Sequence, residues 1–121
     1  MTSTAMDYAL FLEMLLNGGS YNGHRILSPK SVHIMTSNQL DFGAGFAGKE
    51  QFGLGFGITS PMAAARGVRS EGSFYWGGYL GTTYWVDPKE HLVVLIMTQH
   101  NPNSHSDLTS KIENLIYSAL N

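Results

Sequence analysis

The 121-residue sequence contains no cysteine, few charged residues and no long apolar run. Each of these absences excludes a kind of chemistry or a kind of partner. Without cysteine the chain can form no disulfide and carry out no thiolate chemistry, and the redox compartment stays open. Charged residues make up only 13 % of the sequence and sum to a net charge of −2, so neither nucleic acid nor an anionic membrane surface is an expected partner. No apolar run approaches the length of a transmembrane helix. These features leave the cellular compartment open.

Self-sufficient catalytic motifs are missing as well. The sequence has no Gly-x-Ser-x-Gly elbow and no Ser-x-x-Lys pair that could form a lysine-activated serine nucleophile. The five histidines are scattered, and the two nearest, His100 and His105, lack the helical spacing of a metal site. Asp87 and Glu90 fall in a predicted turn, where aspartate is expected to accept backbone hydrogen bonds. We therefore expect no metal and no other cofactor.

What is present is the composition of a globular protein, with 43 % hydrophobic residues. A chain of this length forms one domain or part of one, and it buries roughly two thirds of its unfolded surface. Two helices are predicted early in the chain. Ser3 or Thr4 can cap the first, which has leucines at helical spacing and ends at residues 17–19, Asn-Gly-Gly. Ser28-Pro29 is a typical start for a short second helix. Because a helix begins so near the first residue with no strand before it, we expect the chain to be part of something longer.

The middle of the chain predicts loops and strands. Residues 37–51 lose all periodicity and predict a long surface loop. Residues 52–58 alternate strictly between apolar residues and glycine, which predicts one strand with a bare face where another element can pack closely. Residues 61–69 predict another loop. The continuous apolar run 92–97 predicts a strand covered on both faces, joined to the strand before it by a tight antiparallel turn.

The chain ends in a predicted amphipathic helix, capped by Ser104 or Ser106. Its apolar stripe must lie on a sheet face, since no other large apolar surface is available. The stripe consists of Leu108, Ile112, Leu115, Ile116, Ala119 and Leu120. The predicted fold class is α+β: two helical segments, then an antiparallel sheet of three to four strands, covered by the C-terminal helix.

Residues 71–88 are the most distinctive stretch, because they hold both tryptophans together with interspersed glycines. Glycines within a strand indicate a bulge, or a place where a ligand or another backbone comes close. Trp76-Gly77-Gly78 lies where the strand would bend or open a face. The alternative is a hairpin whose glycines only relieve crowding, with Trp76 buried between sheet and helix.

In their order and spacing these segments resemble the C-terminal portion of the serine β-lactamase-like family. That family includes class C β-lactamases, D-alanyl-D-alanine carboxypeptidases and β-lactamase-fold esterases. The matching segments are residues 3–8 with the helix up to 19, residues 27–32 with Met35, residues 52–57, and residues 76–88 running into 92–99. The resemblance implies that residues 1–121 are the C-terminal part of a β-lactamase-like domain.

The resemblance also implies roles for particular residues. Three motifs build the family's site, namely Ser-x-x-Lys, Tyr-x-Asn and Lys-Thr-Gly, and only the third has a counterpart here, in Trp76-Gly77-Gly78. The esterase-like branch tends to show Trp-x-Gly there, so the lysine that meets a β-lactam carboxylate is absent. The backbone N–H of Tyr79 would be an oxyanion-hole donor on an edge strand, and Trp76, Gly77 and Gly78 would contact the substrate. The second donor, the nucleophile and the base would come from the missing N-terminal portion.

Two functions follow as hypotheses. In the first, the chain is the C-terminal portion of a serine hydrolase that acts on a small ester, amide or β-lactam through an acyl-enzyme, and it is inactive alone. In the second, it is a non-catalytic binding or interaction domain that kept the fold. In the first case the resemblance implies that strands of the N-terminal portion pair with the last strand, residues 92–97. Without that portion, the open edge predicts a homodimer through edge-to-edge pairing, exchange of the terminal helix, or aggregation.

Overall fold

The computed structural model describes residues 2–40, 51–101 and 107–120. The elements in chain order are α1 (Ala5–Leu16), β1 (Ser20–Tyr21), β2 (His24–Arg25), α2 (Pro29–Met35), β3 (Gln51–Phe52), β4 (Gly57–Ile58), α3 (Pro61–Ala64), β5 (Phe74–Gly77), β6 (Thr83–Asp87), β7 (Leu92–Ile96) and α4 (Leu108–Ala119). Within these described ranges, no helix has both the length and the apolar character needed to cross a membrane. Most of the predicted 37–51 loop lies outside the described residues.

Both early helices start at the predicted caps. The Thr4 side chain accepts a hydrogen bond from the Asp7 N–H, and the Ser28 side chain accepts one from the Ser31 N–H. Helix α1 ends where Gly19, at φ +94°, donates its N–H to the Met14 carbonyl. A Cβ on Gly19 would lie 2.2 Å from the Leu27 carbonyl oxygen, so this glycine is required by both conformation and space.

Five antiparallel strands form the main sheet, in the order β3-β4-β5-β6-β7. This confirms the α+β class with its antiparallel sheet and C-terminal helix. The sheet has one strand more than the upper expectation, because the segment 52–58 is not one strand. It was predicted as continuous, and that prediction is wrong: Gly55, at φ +94°, reverses the chain between β3 and β4.

The glycines of this segment do permit close packing, although in a hairpin and not along one bare face. A Cβ on Gly53 would lie 2.0 Å from the Met35 carbonyl oxygen, and one on Gly57 would lie 2.8 Å from the Tyr75 ring. Leu54, expected on the inner face, is exposed at the turn. The alternation of apolar residues with glycine therefore correctly predicted that another part of the chain packs closely here. It wrongly predicted one continuous extended strand.

Side chains of β6 alternate between two covered faces. Tyr84 and Val86 join the main core with Leu12 and Leu15 of α1, while Trp85 and Asp87 point to the opposite face and are fully buried there. Helix α4 lies on that opposite face, because the Tyr117 hydroxyl donates to Asp87 Oδ2 at 2.7 Å. The sheet is thus enclosed between α1 and α4.

Helix α4 departs from its predicted orientation. It begins at Leu108 after Asp107, whose side chain makes no capping bond, and the predicted caps Ser104 and Ser106 lie outside the described residues. Leu115 is 69 % exposed, and Leu108 and Leu120 are exposed too. Ile112 and Ile116 of the predicted stripe do lie on the inward side. The other inward positions are Thr109, Glu113 and Tyr117, because polar anchors to the sheet fix the rotation of the helix.

Strand β7 is an edge strand of the described sheet. Its five residues, predicted to be covered on both faces, are all half-buried, because no described strand pairs with its outer side. The connection from β6 is the expected tight turn: Asp87 pairs with Leu92, and His91 has a φ of +50°.

Candidate functional site

The hairpin that joins β5 to β6 carries all four residues singled out in the sequence. Gly77 and Thr83 form the last strand pair. Beyond it, the Gly78 N–H donates to the Thr82 carbonyl at 2.6 Å, and the Gly81 N–H donates back to the Gly78 carbonyl at 3.0 Å. With Gly81 at φ +88°, this is a three-residue hairpin loop closed by a left-handed glycine.

The segment after β7 holds the tip of this hairpin in place. The Leu80 carbonyl accepts from the His100 N–H at 2.8 Å and from Thr98 Oγ1 at 3.3 Å. Thr82 Oγ1 donates to the Thr98 carbonyl at 3.4 Å. These bonds fix the tip relative to the sheet, as a site built on a loop requires.

Within the described residues the backbone N–H of Tyr79 makes no hydrogen bond, and the Tyr79 side chain is 82 % exposed. Its neighbours on the loop are different, since the N–H groups of Gly78 and Gly81 are both engaged. An N–H without a partner at a fixed hairpin tip is available as a donor to a bound group.

Gly77 and Gly78 are not needed to relieve crowding within the hairpin. A Cβ on Gly78 would come no closer than 3.6 Å to Thr82, and one on Gly77 would lie 3.4 Å from the Thr82 carbonyl oxygen. Both are ordinary contacts, and neither residue has a positive φ. The described fold therefore does not account for two consecutive glycines immediately before Tyr79.

Trp76 is 48 % exposed, and its ring meets the edge of the Phe52 ring at a centroid distance of 5.0 Å. The tryptophan that is buried between the sheet and a helix is Trp85, which is fully buried, and not Trp76. The expectation that β5 is an edge strand needs correction. Phe74 and Tyr75 pair with β4, so only the part of β5 from Trp76 onward has an unpaired outer side among the described strands.

A groove of about 550 Å³ opens beside the hairpin. It is lined by Thr2, Ser3, Tyr8, Trp76, Gly77, Gly78, Tyr79, Leu80, Thr82, Tyr84, Leu95, Met97 and Gln99. A second depression of about 430 Å³ shares Ser3, Tyr8 and Tyr84 with it. The rings of Tyr8 and Tyr84 stand 5.1 Å apart at the boundary, and burial, followed by the interaction with Tyr8, raises the pKa of Tyr84.

Sequence reasoning missed the far wall of this groove. Tyr8 falls within the first predicted helix and Met97 at the end of a predicted strand, and neither was linked to the hairpin. No local signal joins these positions, because only the packing of α1 against β6 and β7 brings them together.

The other residues considered for chemistry, Asp87 and the histidines, lie in surroundings that do not form a second site among the described residues. Asp87 Oδ1 accepts from the Lys89 and Glu90 N–H groups, which confirms its predicted role in the turn. Burial alone would raise the pKa of Asp87, but hydrogen bonds from Tyr117, Ser70 and Ser73 outweigh it and hold that pKa below its usual range. In the part of the chain that the structure describes, no three His, Asp or Glu side chains cluster as a metal site would require; His105 lies outside that part.

Comparison with known proteins agrees with this architecture. The family model named Beta-lactamase matches residues 1–116. The Mycobacterium tuberculosis protein Rv1367c is 35 % identical over 121 aligned residues, covering 91 % of this chain and 30 % of the relative. A Salmonella gallinarum protein, whose name provisionally assigns it as a D-alanyl-D-alanine carboxypeptidase, is 28 % identical over 105 residues, covering 83 % of this chain and 23 % of its own length.

Among solved structures, EstCE1, described as a hydrolase with promiscuous acyltransferase activity, shares the fold with a TM-score of 0.75 at 22 % identity. The match covers 95 % of this chain and 30 % of EstCE1, so this chain spans less than a third of each of these relatives. By the family match and the shared architecture, this chain belongs to the beta-lactamase family and has part of the β-lactamase-like fold.

Proposed function

We propose that this chain supplies the oxyanion-hole hairpin of a serine hydrolase that cleaves an ester, amide or β-lactam through an acyl-enzyme. The Tyr79 N–H is one oxyanion donor, Trp76 lines the substrate cleft, and Gly77 and Gly78 allow the acyl group to approach the backbone. The observation that carries the proposal is the N–H of Tyr79, which has no partner among the described residues and follows two glycines that the hairpin itself does not require.

The chemistry assigned to this N–H is electrostatic. When a serine oxygen attacks the substrate carbonyl carbon, the carbonyl π electrons move to its oxygen, and the negative oxygen that results needs fixed donors. Removing one such donor typically costs about 10²–10³ in kcat. A donor already held in place by the surrounding hydrogen bonds needs no reorganisation when the charge forms.

The other parts of the mechanism come from outside these 121 residues. The sequence has no Ser-x-x-Lys pair, and among the described residues that line the groove the one serine, Ser3, has no lysine or histidine beside it. A nucleophile, its base and a second oxyanion donor are therefore required from additional polypeptide. The isolated chain is expected to hydrolyse nothing, because a donor without an attacking group has no oxyanion to stabilise.

A chimera tests the proposal. The part of Rv1367c that lies outside its matched region, which itself covers 30 % of that protein, is joined to this chain. Hydrolysis of 4-nitrophenyl butyrate is followed for the chimera and for the isolated chain. The chimera is expected to show a burst followed by turnover, and the isolated chain neither. A chimera that unfolds cooperatively but is inactive would contradict the proposal and favour the non-catalytic alternative.

Within the chimera, Gly78→Val tests the placement of the site. We expect kcat/KM to fall by about 10²-fold or more, because a side chain fills the approach to the Tyr79 N–H. The melting temperature should change little, since the added Cβ would make only ordinary contacts.

Glu71→Val is the control, because it introduces the same residue, valine, at an exposed turn outside the groove lining. Its activity should equal that of the parent chimera. If Gly78→Val lowers activity and melting temperature together, or leaves activity intact, Gly78 is structural and the site lies elsewhere.

A further inference from the structure

The groove beside the hairpin has an uncharged lining. None of the described residues that line it is Asp, Glu, Lys, Arg or His. Its polar groups among the described residues are neutral: hydroxyls, the Gln99 amide, the Trp76 indole N–H and the backbone N–H of Tyr79. Its remaining walls are apolar or aromatic. An anionic ligand in this groove would meet no described cation.

The described residues that line the neighbouring depression add no positive charge either. Its one charged lining residue among those described is Asp7, in the first turn of α1. The Asp7 carboxylate accepts one hydrogen bond from the Thr4 hydroxyl, at 2.8 Å. Burial and Tyr8 raise the pKa of Tyr84, so this phenol at the boundary stays neutral at physiological pH. The one charged residue among the described residues that line either depression is therefore negative, and it would repel a carboxylate.

We infer that this groove binds uncharged esters with an apolar or aromatic group and discriminates against ligands that carry a carboxylate. The inference rests on the proposed function and narrows its substrate class. A carboxylate bound here would lose water without gaining a described cation as partner, which is costly, whereas an aryl or alkyl group has no charge to desolvate. β-Lactams and peptide C-termini, which carry such a carboxylate, would be disfavoured substrates.

The dimensions and exposed side chains fit such a ligand. A groove of about 550 Å³ lies within the usual range for small-molecule sites. Trp76, Leu80 and Met97 are 48 %, 39 % and 45 % exposed, and they offer apolar surface on the walls next to Tyr79. Burying these surfaces against an aryl or alkyl group is favourable.

A matched pair of ligands tests the inference on the isolated chain, without need of a nucleophile. Amide resonances of ¹⁵N-labelled protein are followed during titration with 4-nitrophenyl butyrate and with 4-carboxyphenyl butyrate, which differ in the charge of one substituent. We expect the neutral ester to shift the amides of Gly77, Gly78 and Tyr79 and the Trp76 indole N–H. The anionic ester should bind at least about tenfold more weakly.

Two lysine substitutions sharpen the result. Met97→Lys places a cation on the groove wall and should reduce or reverse the tenfold preference for the neutral ester. Met62→Lys is the matched control, since Met62 is exposed to a similar degree, 42 % against 45 %, but lies on α3 outside the groove lining. It should leave the preference unchanged.

Three outcomes would overturn the inference: equal or tighter binding of the anionic ester to the parent chain, shifts confined to residues outside the groove, or no shifts with either ester. Failure of the proposed function gives a different pattern. In that case the neutral ester still binds selectively to the isolated chain, but the folded chimera is inactive.

Discussion

At the scale of single residues, Asp87 shows how a buried charge is stabilised by donors from three parts of the chain. The carboxylate is fully buried and accepts from the Ser70 N–H at 2.9 Å, from the Tyr117 hydroxyl at 2.7 Å, and from the N–H groups of its own turn. Arg69 provides positive charge on the same face of the sheet. Such saturation with donors is what allows a buried carboxylate to remain ionised.

The pKa of Asp87 sets a dependence of stability on pH. Because the folded-state pKa lies below the unfolded value of 3.8, the contribution of Asp87 is fully present above that value and is lost as pH falls through the folded-state pKa. Tyr117→Phe removes one donor, so it should cost about 2 kcal/mol at pH 7. It should also raise the folded-state pKa towards 3.8, so that the acid-dependent loss of stability becomes smaller and is complete at a higher pH. Urea unfolding between pH 2 and 7, a range chosen to bracket carboxyl titration, would measure this change.

Tyr21→Phe is the control for this experiment, because the Tyr21 hydroxyl makes no hydrogen bond among the described residues. Its acid limb should coincide with that of the parent. An unchanged acid limb in Tyr117→Phe would show that the Tyr117 hydroxyl does not stabilise the Asp87 carboxylate.

At the scale of elements, helix α4 is held by polar anchors more than by its apolar residues. None of its residues is fully buried. Arg69 forms an ion pair with Glu113 and lies over the rings of Tyr75 and Trp85, at 4.7 Å and 4.9 Å from the ring centres. Arg69 thus links α4 to the sheet through charge and through two aromatic faces.

Arg69→Ala should loosen α4 selectively. Amide hydrogen exchange of α4 should accelerate by at least about tenfold, the equivalent of 1.4 kcal/mol, while exchange in β5 and β6 changes less. Lys111→Ala breaks the exposed Lys111–Asp107 pair of the same helix, 2.6 Å long, and should have almost no effect. Equal acceleration in both variants, or uniform acceleration through the sheet, would mean that Arg69 does not anchor α4.

At the scale of the whole molecule, the open side of β7 is the main feature. Its residues are apolar and half-buried, and no described strand pairs with the outer side. Unpaired backbone groups beside apolar side chains are a template for pairing with another strand. We expect the isolated chain to associate through this side at tens of micromolar, roughly the range of weak strand pairing.

Light scattering of two variants tests this expectation. Val94→Lys places a charge on the edge strand and should increase the monomer fraction, whereas Val68→Lys, at an exposed loop position, should not. The part of Rv1367c outside its matched region, added in trans, should compete with self-association. A parent chain that stays monomeric at these concentrations would count against an open edge.

Local chemistry allowed much of this structure to be predicted from the sequence. Thr4 and Ser28 cap helices through bonds to residues three positions ahead, and Asp87 accepts from its own turn, so neighbouring residues alone specify these features. The same applies to the hairpin of residues 76–83, whose glycines and flanking β-formers are contiguous. The bend at Trp76-Gly77-Gly78 could therefore be singled out before any fold was known, whereas Tyr79 was singled out only by the family resemblance.

Tertiary structure decided what depends on residues far apart in the chain. The 52–58 segment became a hairpin because Gly53 and Gly57 pack against Met35 and Tyr75, contacts that alternation alone cannot specify. The face of α4 was set by Arg69 and Asp87, and not by its own leucines. The groove exists because the packing of α1 on the sheet brings Tyr8 beside the hairpin. A periodic sequence pattern indicates which residues of an element are buried, but it does not specify which other element packs against them.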